Sequence, residues 1–226
     1  MSQQPTSEPK FYGRRHGRAL GVARARALKE FLPKVTFDLN AADNPQSQFT
    51  SKPKKIWFEI GFGAGEHMIE QAKQNPDIGF IGCEPFMNTV SNCLVNIESQ
   101  DLKNILIWPD DARLVMDALP DGCLDRVFLL HPDPWPKKRH ISRRFIQQET
   151  LDSLTRLMPI GSELRIATDA PDLCDWMLEQ CQNHPHFEWQ AKCANDWRTR
   201  PDDWPATRYG EKQLAGTPVY LIFKRI

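Results

Sequence analysis

Four short stretches of this chain set carboxylates beside glycines or prolines, each where an apolar run ends. They are Glu59-Ile60-Gly61-Phe62-Gly63-Ala64-Gly65, then Glu84, then Pro109-Asp110-Asp111-Ala112, and finally His131-Pro132-Asp133-Pro134-Trp135. Glycines at alternate positions permit a tight turn and let a ligand approach the backbone closely. A dinucleotide loop of the form G-x-G-x-x-G needs glycine at position 66, and Glu66 stands there instead. An acid at a helix N-terminus repels the pyrophosphate that would dock on it. With Glu59 adding charge beside the loop, the pattern selects a ligand that lacks phosphates and carries a cationic end.

Glu84 lies about twenty residues beyond the glycines, where a carboxylate accepts from both ribose hydroxyls. Asp111 is placed either to accept from an adenine amino group or to cap the helix that follows. Taken together, acids at three successive strand ends point to a nucleoside without phosphates. S-adenosylmethionine, with its ammonium and its sulfonium, fits that description. In the fourth stretch Pro132 and Pro134 fix the backbone around Asp133 and so aim its carboxylate. Trp135 offers a plane for base stacking. Lys137, Lys138 and Arg139 follow at once and suit a phosphate backbone.

The elements that must position these groups alternate. Strands are predicted over 56–60, 79–84, 104–108, 126–131 and 163–169, with helices from about Glu66 and over 86–99, 111–119 and 141–158. A further helix has Pro171 in its first turn, with Asp169 as its cap. Two last strands, 187–192 and 219–225, are joined by a long Trp/Arg/Pro loop. Apolar strands alternating with helices imply an α/β fold, a mostly parallel seven-stranded sheet with helices on both faces. The final pair, lacking a helix between its strands, is placed antiparallel at the sheet edge. Ligands in such sheets bind beyond the carboxyl ends of the strands, where the four acidic stretches fall.

Residues 1–10 read as disordered and 16–32 as a basic helix ended by Pro33. The predicted organisation is a partly disordered basic extension over 1–40, a linker or surface loop over 41–54, and one domain over 55–226. The 226 residues are 40% apolar, enough for a core. Lys+Arg and Asp+Glu balance at 29 each, yet basic residues cluster at 10–29 and at 137–144. Two such clusters on an otherwise acidic body suit a polyanion. The six cysteines show no C-x-x-C pair and no zinc-like spacing, so no metal site is expected, and a reducing cytoplasm fits. No apolar leader and no membrane-spanning run is present, which predicts a cytoplasmic protein without membrane association.

E-I-G-F-G-x-G, H-P-D-P-W-x-K-x-R-H (131–140) and A-T-D (167–169) together resemble the bacterial tRNA (guanine-N7-)-methyltransferase family, and RRHGR (14–18) is similar to that family's basic lead-in. The resemblance runs from about residue 11 to the end. It implies a Rossmann-like class I methyltransferase fold, S-adenosylmethionine as methyl donor, tRNA as partner, and N7 of guanosine 46 in the variable loop as target. By motif it implies Glu59, Glu84 and Asp111 as donor-binding residues, with Gly61, Gly63 and Gly65 in the loop between. Asp133 is implied near both donor and reaction centre, as the catalytic carboxylate. Lys137 and Asp169 are implied for substrate. The family's late T-x-[YF]-E motif stands here as Thr207-Arg208-Tyr209-Gly210, with Glu211 one place late. No obligatory protein partner is implied, and a monomer or homodimer is expected. Two rivals follow from the same residues. One is a methyltransferase acting on an exocyclic amino group, since D-P-W-P partly resembles a D-P-P-W loop; the other is an RNA-binding paralogue without catalysis.

Overall fold

The computed structural model describes residues 12–206, 208–212 and 214–226. The stretch expected to be disordered, 1–10, lies outside them, as does Thr207. The first helical segment is continuous: α1 (Val22–Arg26), a π-helical turn (Ala27–Phe31) and α2 (Leu32–Val35). Pro33 does not end it as the sequence suggested. A proline inside a helix loses one N–H and crowds the preceding turn, and the widened π turn just before it makes the room. Arg26 ties this segment to Glu98 by an ion pair.

The chain then alternates through β1 (Lys55–Ile60), α3 (Glu66–Gln74), β2 (Ile78–Cys83), α4 (Met87–Ser99), β3 (Ile105–Trp108), α5 (Ala112–Ala118) and β4 (Arg126–Leu130). After these come α6 (Gln148–Leu157), β5 (Glu163–Thr168), α7 (Pro171–Asn183), β6 (Phe187–Trp189), α8 (Asn195–Arg198), α9 (Arg208–Lys212) and β7 (Val219–Arg225). The seven strands form one sheet in the order β3-β2-β1-β4-β5-β7-β6. β1 to β5 are parallel to one another, and β7 runs antiparallel to both β5 and β6. The expected antiparallel strand is thus at this end of the sheet, one place inside the outermost strand. At the other edge the free side of β3 is partly covered, since Thr36 bridges Ile107 and Phe37 N–H donates to the Ile107 carbonyl at 2.9 Å.

Alternating strand residues face two apolar layers. Met68, Val90, Leu94 and Ile97 of α3 and α4 pack on Trp57, Phe80, Ile105 and Phe128. Val115, Leu151, Leu154, Leu157 and Met177 of α5 to α7 pack on Phe58, Ile81, Leu129 and Ile166. Each such fully buried side chain is worth about 1.5–3 kcal/mol of transfer free energy. The polar stretch 41–54 contributes Ala42, Pro45 and Phe49 to the interior, and Phe49 lies against Gly79, where any Cβ would come within 2.9 Å of its ring.

Three expected elements differ. The helix predicted over 141–158 begins only at Gln148, because Gln147 and Thr150 form a reciprocal capping box there; Lys138–Arg143 is a separate 3-10 turn. The shorter α6 still buries Leu151, Leu154 and Leu157. β6 stops at Trp189 because the N–H groups of Lys192 and Cys193 turn to the Asp196 carboxylate at 2.7 and 2.9 Å. Asp169 does not cap α7; Ala170 occupies that position, and Asp169 Oδ2 accepts instead from Ala215 N–H at 2.9 Å. Among the described residues no helix is long and apolar enough to cross a membrane.

Candidate active site

Because β1 lies between β2 and β4 with its neighbours leading away in opposite directions, a crevice opens at the carboxyl ends of β1 and β4. A cleft of about 510 Å³ occupies that position. Its carboxylates are Glu59, Glu66, Glu84, Asp110, Asp111 and Asp133.

The floor is the loop from β1 to α3. Gly61, Gly63 and Gly65 take φ of +71°, +56° and +79°, the left-handed region that side chains disfavour. Gly65 is also crowded, since a Cβ there would lie 2.3 Å from Cys93 Sγ. Glu84 holds this loop from the end of β2. Its Oε2 accepts from Gly63 N–H at 3.0 Å and its Oε1 from Phe86 N–H at 2.9 Å. Burial raises the Glu84 carboxyl above its ordinary value, against the pull of those two N–H groups, and the neighbouring charge of Asp133 adds to the rise.

At the end of β3, Asp111 is the N-cap of α5, accepting from Arg113 N–H at 3.0 Å. Arg113 also binds both its oxygens through the side chain, at 3.0 and 2.8 Å. Of the two roles open to Asp111 from sequence, capping is the one this geometry displays. Asp110 stands beside it. Its Oδ1 accepts from Asp111 N–H and from Arg15 Nη2, both at 2.7 Å. Burial works to raise the Asp110 carboxyl, but these two bonds more than offset it and leave it below the ordinary range.

The β4 end is different in kind. His131 and Trp135 take φ of +48° and +43° on either side of Pro132-Asp133-Pro134. Non-glycine residues reach that region at a cost of about 1 kcal/mol or more each, so their surroundings impose the shape. His131 N–H is held by the Ala167 carbonyl at 2.7 Å, and buried Arg144 donates to the Pro134 carbonyl at 3.1 Å. Asp133 between them is exposed, and among the described residues no hydrogen bond or ion pair engages its carboxylate. Arg143 stacks on Trp135 and Tyr12, 4.9 and 4.5 Å from the ring centres, at the mouth of the cleft. Among the described residues His131 Nδ1 is buried without a hydrogen-bond partner, 3.7 Å from Asp169 Oδ1. Burial lowers the His131 imidazole, with Asp169 pulling the other way.

The cleft gathers Glu59, Gly61, Gly63, Glu84, Asp111 and Asp133, with Gly65 at the end of the same loop. Lys137 and Asp169 do not line it. Lys137 is exposed on the turn after β4, and Asp169 lines a second cavity of about 240 Å³ with Cys174, Trp189 and Trp197. Arg208, Tyr209 and Glu211 lie on α9, where Glu211 is exposed. The site residues that sequence reasoning misses are Asp110, Tyr12, Arg143 and His67. Asp110 is signalled by its place in P-D-D-A, and His67 by a polar pair with Gln71 one helical turn apart on a buried face.

The chain matches the family model described as "Putative methyltransferase" over residues 53–220. It is 45% identical to the tRNA (guanine-N(7)-)-methyltransferase of Rhodospirillum rubrum, covering 100% of this chain and 91% of that protein. It is 43% identical to the enzyme of the same name from Roseobacter denitrificans, covering 100% of both chains. Among solved structures, the precorrin-6y C5,15-methyltransferase of Geobacter metallireducens matches with a TM-score of 0.53 at 18% identity, over 88% of this chain and 84% of that one. TrmN from Thermus thermophilus matches with a TM-score of 0.55 at 16% identity, over 77% of this chain and 45% of that one. These structural likenesses are likenesses of fold.

Proposed function

The chain belongs to the bacterial tRNA (guanine-N7-)-methyltransferase family of enzymes, and from that premise we propose that it methylates N7 of a guanosine in tRNA, at position 46 of the variable loop, with S-adenosylmethionine as donor, in the cytoplasm. The observation that carries the reading is one cleft whose walls are carboxylates at successive strand ends, with Glu66 where a pyrophosphate would dock.

The donor set fits this cofactor. Glu59 keeps one carboxylate oxygen without a hydrogen bond among the described residues, which suits an ammonium. Glu84, with lone pairs remaining beside its two backbone bonds, takes the ribose hydroxyls. Asp111, with Asp110 next to it, faces the adenine end. The bends at Gly61, Gly63 and Gly65 bring bare backbone to the ligand. When bound, S-adenosylmethionine supplies an electrophilic methyl carbon on a sulfonium.

Guanine N7 carries an in-plane lone pair and no proton, so no general base is required and catalysis is chiefly alignment. The methylated purine is cationic. Asp133, exposed and aimed by its two prolines, or Asp169 at the end of the neighbouring strand, stabilises that charge as it develops or accepts from guanine N1–H and N2–H. Lys137 meets phosphate, and Thr207, Arg208, Tyr209 and Glu211 contribute to substrate binding. Residues 55–226 form the catalytic domain in this reading, and the basic lead-in adds to the tRNA surface.

Incubating the protein with bulk tRNA and methyl-labelled S-adenosylmethionine tests the proposal. Label should fall on one variable-loop guanosine and make the strand cleavable there by borohydride and aniline, the signature of N7 methylation. Label on an exocyclic amino group, or no label with intact donor binding, would overturn it.

A further inference from the structure

Behind Glu59 a second set of polar side chains is buried. His67, on the first turn of α3, places Nδ1 2.6 Å from Glu59 Oε2, with the two side chains 1% and 4% exposed. One turn on, Gln71 is buried as well, and its Nε2 lies 2.6 Å from the Asp203 carbonyl and 3.5 Å from His67 Nε2. A carbonyl only accepts, so the amide nitrogen of Gln71 is fixed on that side, and its Oε1 accepts from Asn75 Nδ2 at 3.3 Å. His67 Nε2 therefore meets a donor. The rest of the ring is enclosed by Phe128 and Trp204, with centroids at 4.6 and 6.3 Å. The nearby Asp203 carboxylate is engaged by Arg165 at 2.9 Å and by Arg126 at 3.6 Å. A proton on Nε2 would have no acceptor among the described residues.

We propose that His67 is a positioning residue for the methyl donor: neutral, held as the Nδ1–H tautomer by Gln71 on the Asp203 carbonyl, it orients Glu59 without neutralising it. An imidazolium at 2.6 Å would form a complete ion pair with Glu59 and weaken its attraction for a second cation. A neutral donor satisfies one oxygen and leaves the other, with the full negative charge, for an incoming ammonium. Burial with a single neutral partner keeps that carboxylate under-satisfied until the ammonium arrives. The inference rests on the assignment of Glu59 to the ammonium of S-adenosylmethionine.

Two ligands separate positioning from support of the cleft: S-adenosylmethionine, and 5′-methylthioadenosine, which keeps the nucleoside but lacks the ammonium. By calorimetry, His67→Phe should weaken S-adenosylmethionine roughly 10- to 100-fold, the loss expected when a hydrogen bond to a buried charge is removed. Methylthioadenosine should change by less than about threefold, because it makes no ion pair with Glu59. His67→Asn, whose amide nitrogen stands near the Nδ1 position, should restore most of the affinity. Equal loss for both ligands, or no loss for either, would overturn the proposal. Gln71→Glu supplies an acceptor at Nε2 and should convert His67 to the imidazolium, weakening S-adenosylmethionine selectively; unchanged affinity in that variant counts against the mechanism. Imidazole ¹⁵N shifts of the ligand-free wild-type protein give an arm independent of any donor. A neutral Nδ1–H pattern is expected, and an imidazolium or Nε2–H pattern would refute it. Failure of the wild type to bind either nucleoside would instead overturn the assignment of the cofactor, and the positioning role with it.

Discussion

The two halves of the cleft are built on opposite principles. At the ends of β1 to β3 the acids are held by the protein: Glu59 by His67, Glu84 by two backbone N–H groups, Asp111 by its own helix and Arg113, Asp110 by Arg15. At the end of β4 the acid is exposed, and it is the backbone around it that is constrained, at His131 and Trp135. A small donor of fixed shape can be met by a finished pocket. In the proposed reading a large RNA brings its own groups, and the exposed Asp133 and Lys137 are left for it to cover. Under the proposed function, the difference predicts that the first half governs affinity for the donor and the second governs rate.

The sharpest way to break that division is at Asp133. Asp133→Asn should lower single-turnover methylation by roughly one to three orders of magnitude, the scale of one preorganised electrostatic group. S-adenosylmethionine affinity, read by calorimetry, should hardly move. Comparable losses in both would erase the distinction between the halves. At Glu84 the expectation reverses. Glu84→Gln should weaken the donor roughly tenfold to a hundredfold by loosening the glycine loop, with a smaller effect on the chemical step once donor is saturating.

Glu84 also makes a prediction about pH whose sign is unusual. Its carboxyl is raised by burial, so the folded protein holds that proton more tightly than the unfolded chain. The contribution of this group to stability is then fully present below its unfolded pKa and is lost as pH rises through the folded one. Acidification through that range should weaken donor binding at a pH above the ordinary glutamate range, with no loss of fold from this group. A donor-binding profile that Glu84→Gln leaves unchanged would assign the dependence elsewhere.

Smaller effects sharpen the picture on the RNA side. Replacing Lys137 and Lys138 together should reduce the salt slope of tRNA binding by about 0.7–0.9 for each phosphate that is no longer neutralised, while donor binding keeps its own salt response. Smallest of all should be Asp110→Asn. Its ion pair with Arg15 is largely solvated, and such pairs contribute less than about 1 kcal/mol, so a thermal shift beyond a few degrees would mean that Arg15 anchors more than one edge of the cleft.

The half of the cleft at β1 to β3 was readable because local chemistry fixes it: glycines where the chain bends left-handed, and acids at or just past the ends of apolar strands. The strand–helix alternation was readable for the same reason, since each apolar run must find a covered place in one sheet. What escaped reading depends on contacts distant in sequence. Nothing local says that Asp110 meets Arg15, that Gln71 meets the Asp203 carbonyl, or that Phe49 fills the space over Gly79. Proline at 33 normally ends a helix, and the π turn before it overrides that effect. The capping pair Gln147 and Thr150 outweighs a helical apolar pattern that begins several residues earlier. Asp169 falls at the expected strand end and lies 3.7 Å from His131 of the cleft, but it lines a separate cavity with Cys174 and two tryptophans.

The position of β7 between β5 and β6 bears on how the protein is made. A nascent chain leaves the ribosome from its N-terminal end, so β6 emerges before β7, the strand with which it pairs among the described residues. The strands that frame the cleft can therefore assemble while the flank of β5 is still bare. In the proposed reading, the part of the sheet that carries the donor cleft is complete in sequence before the flank of β5 can be covered.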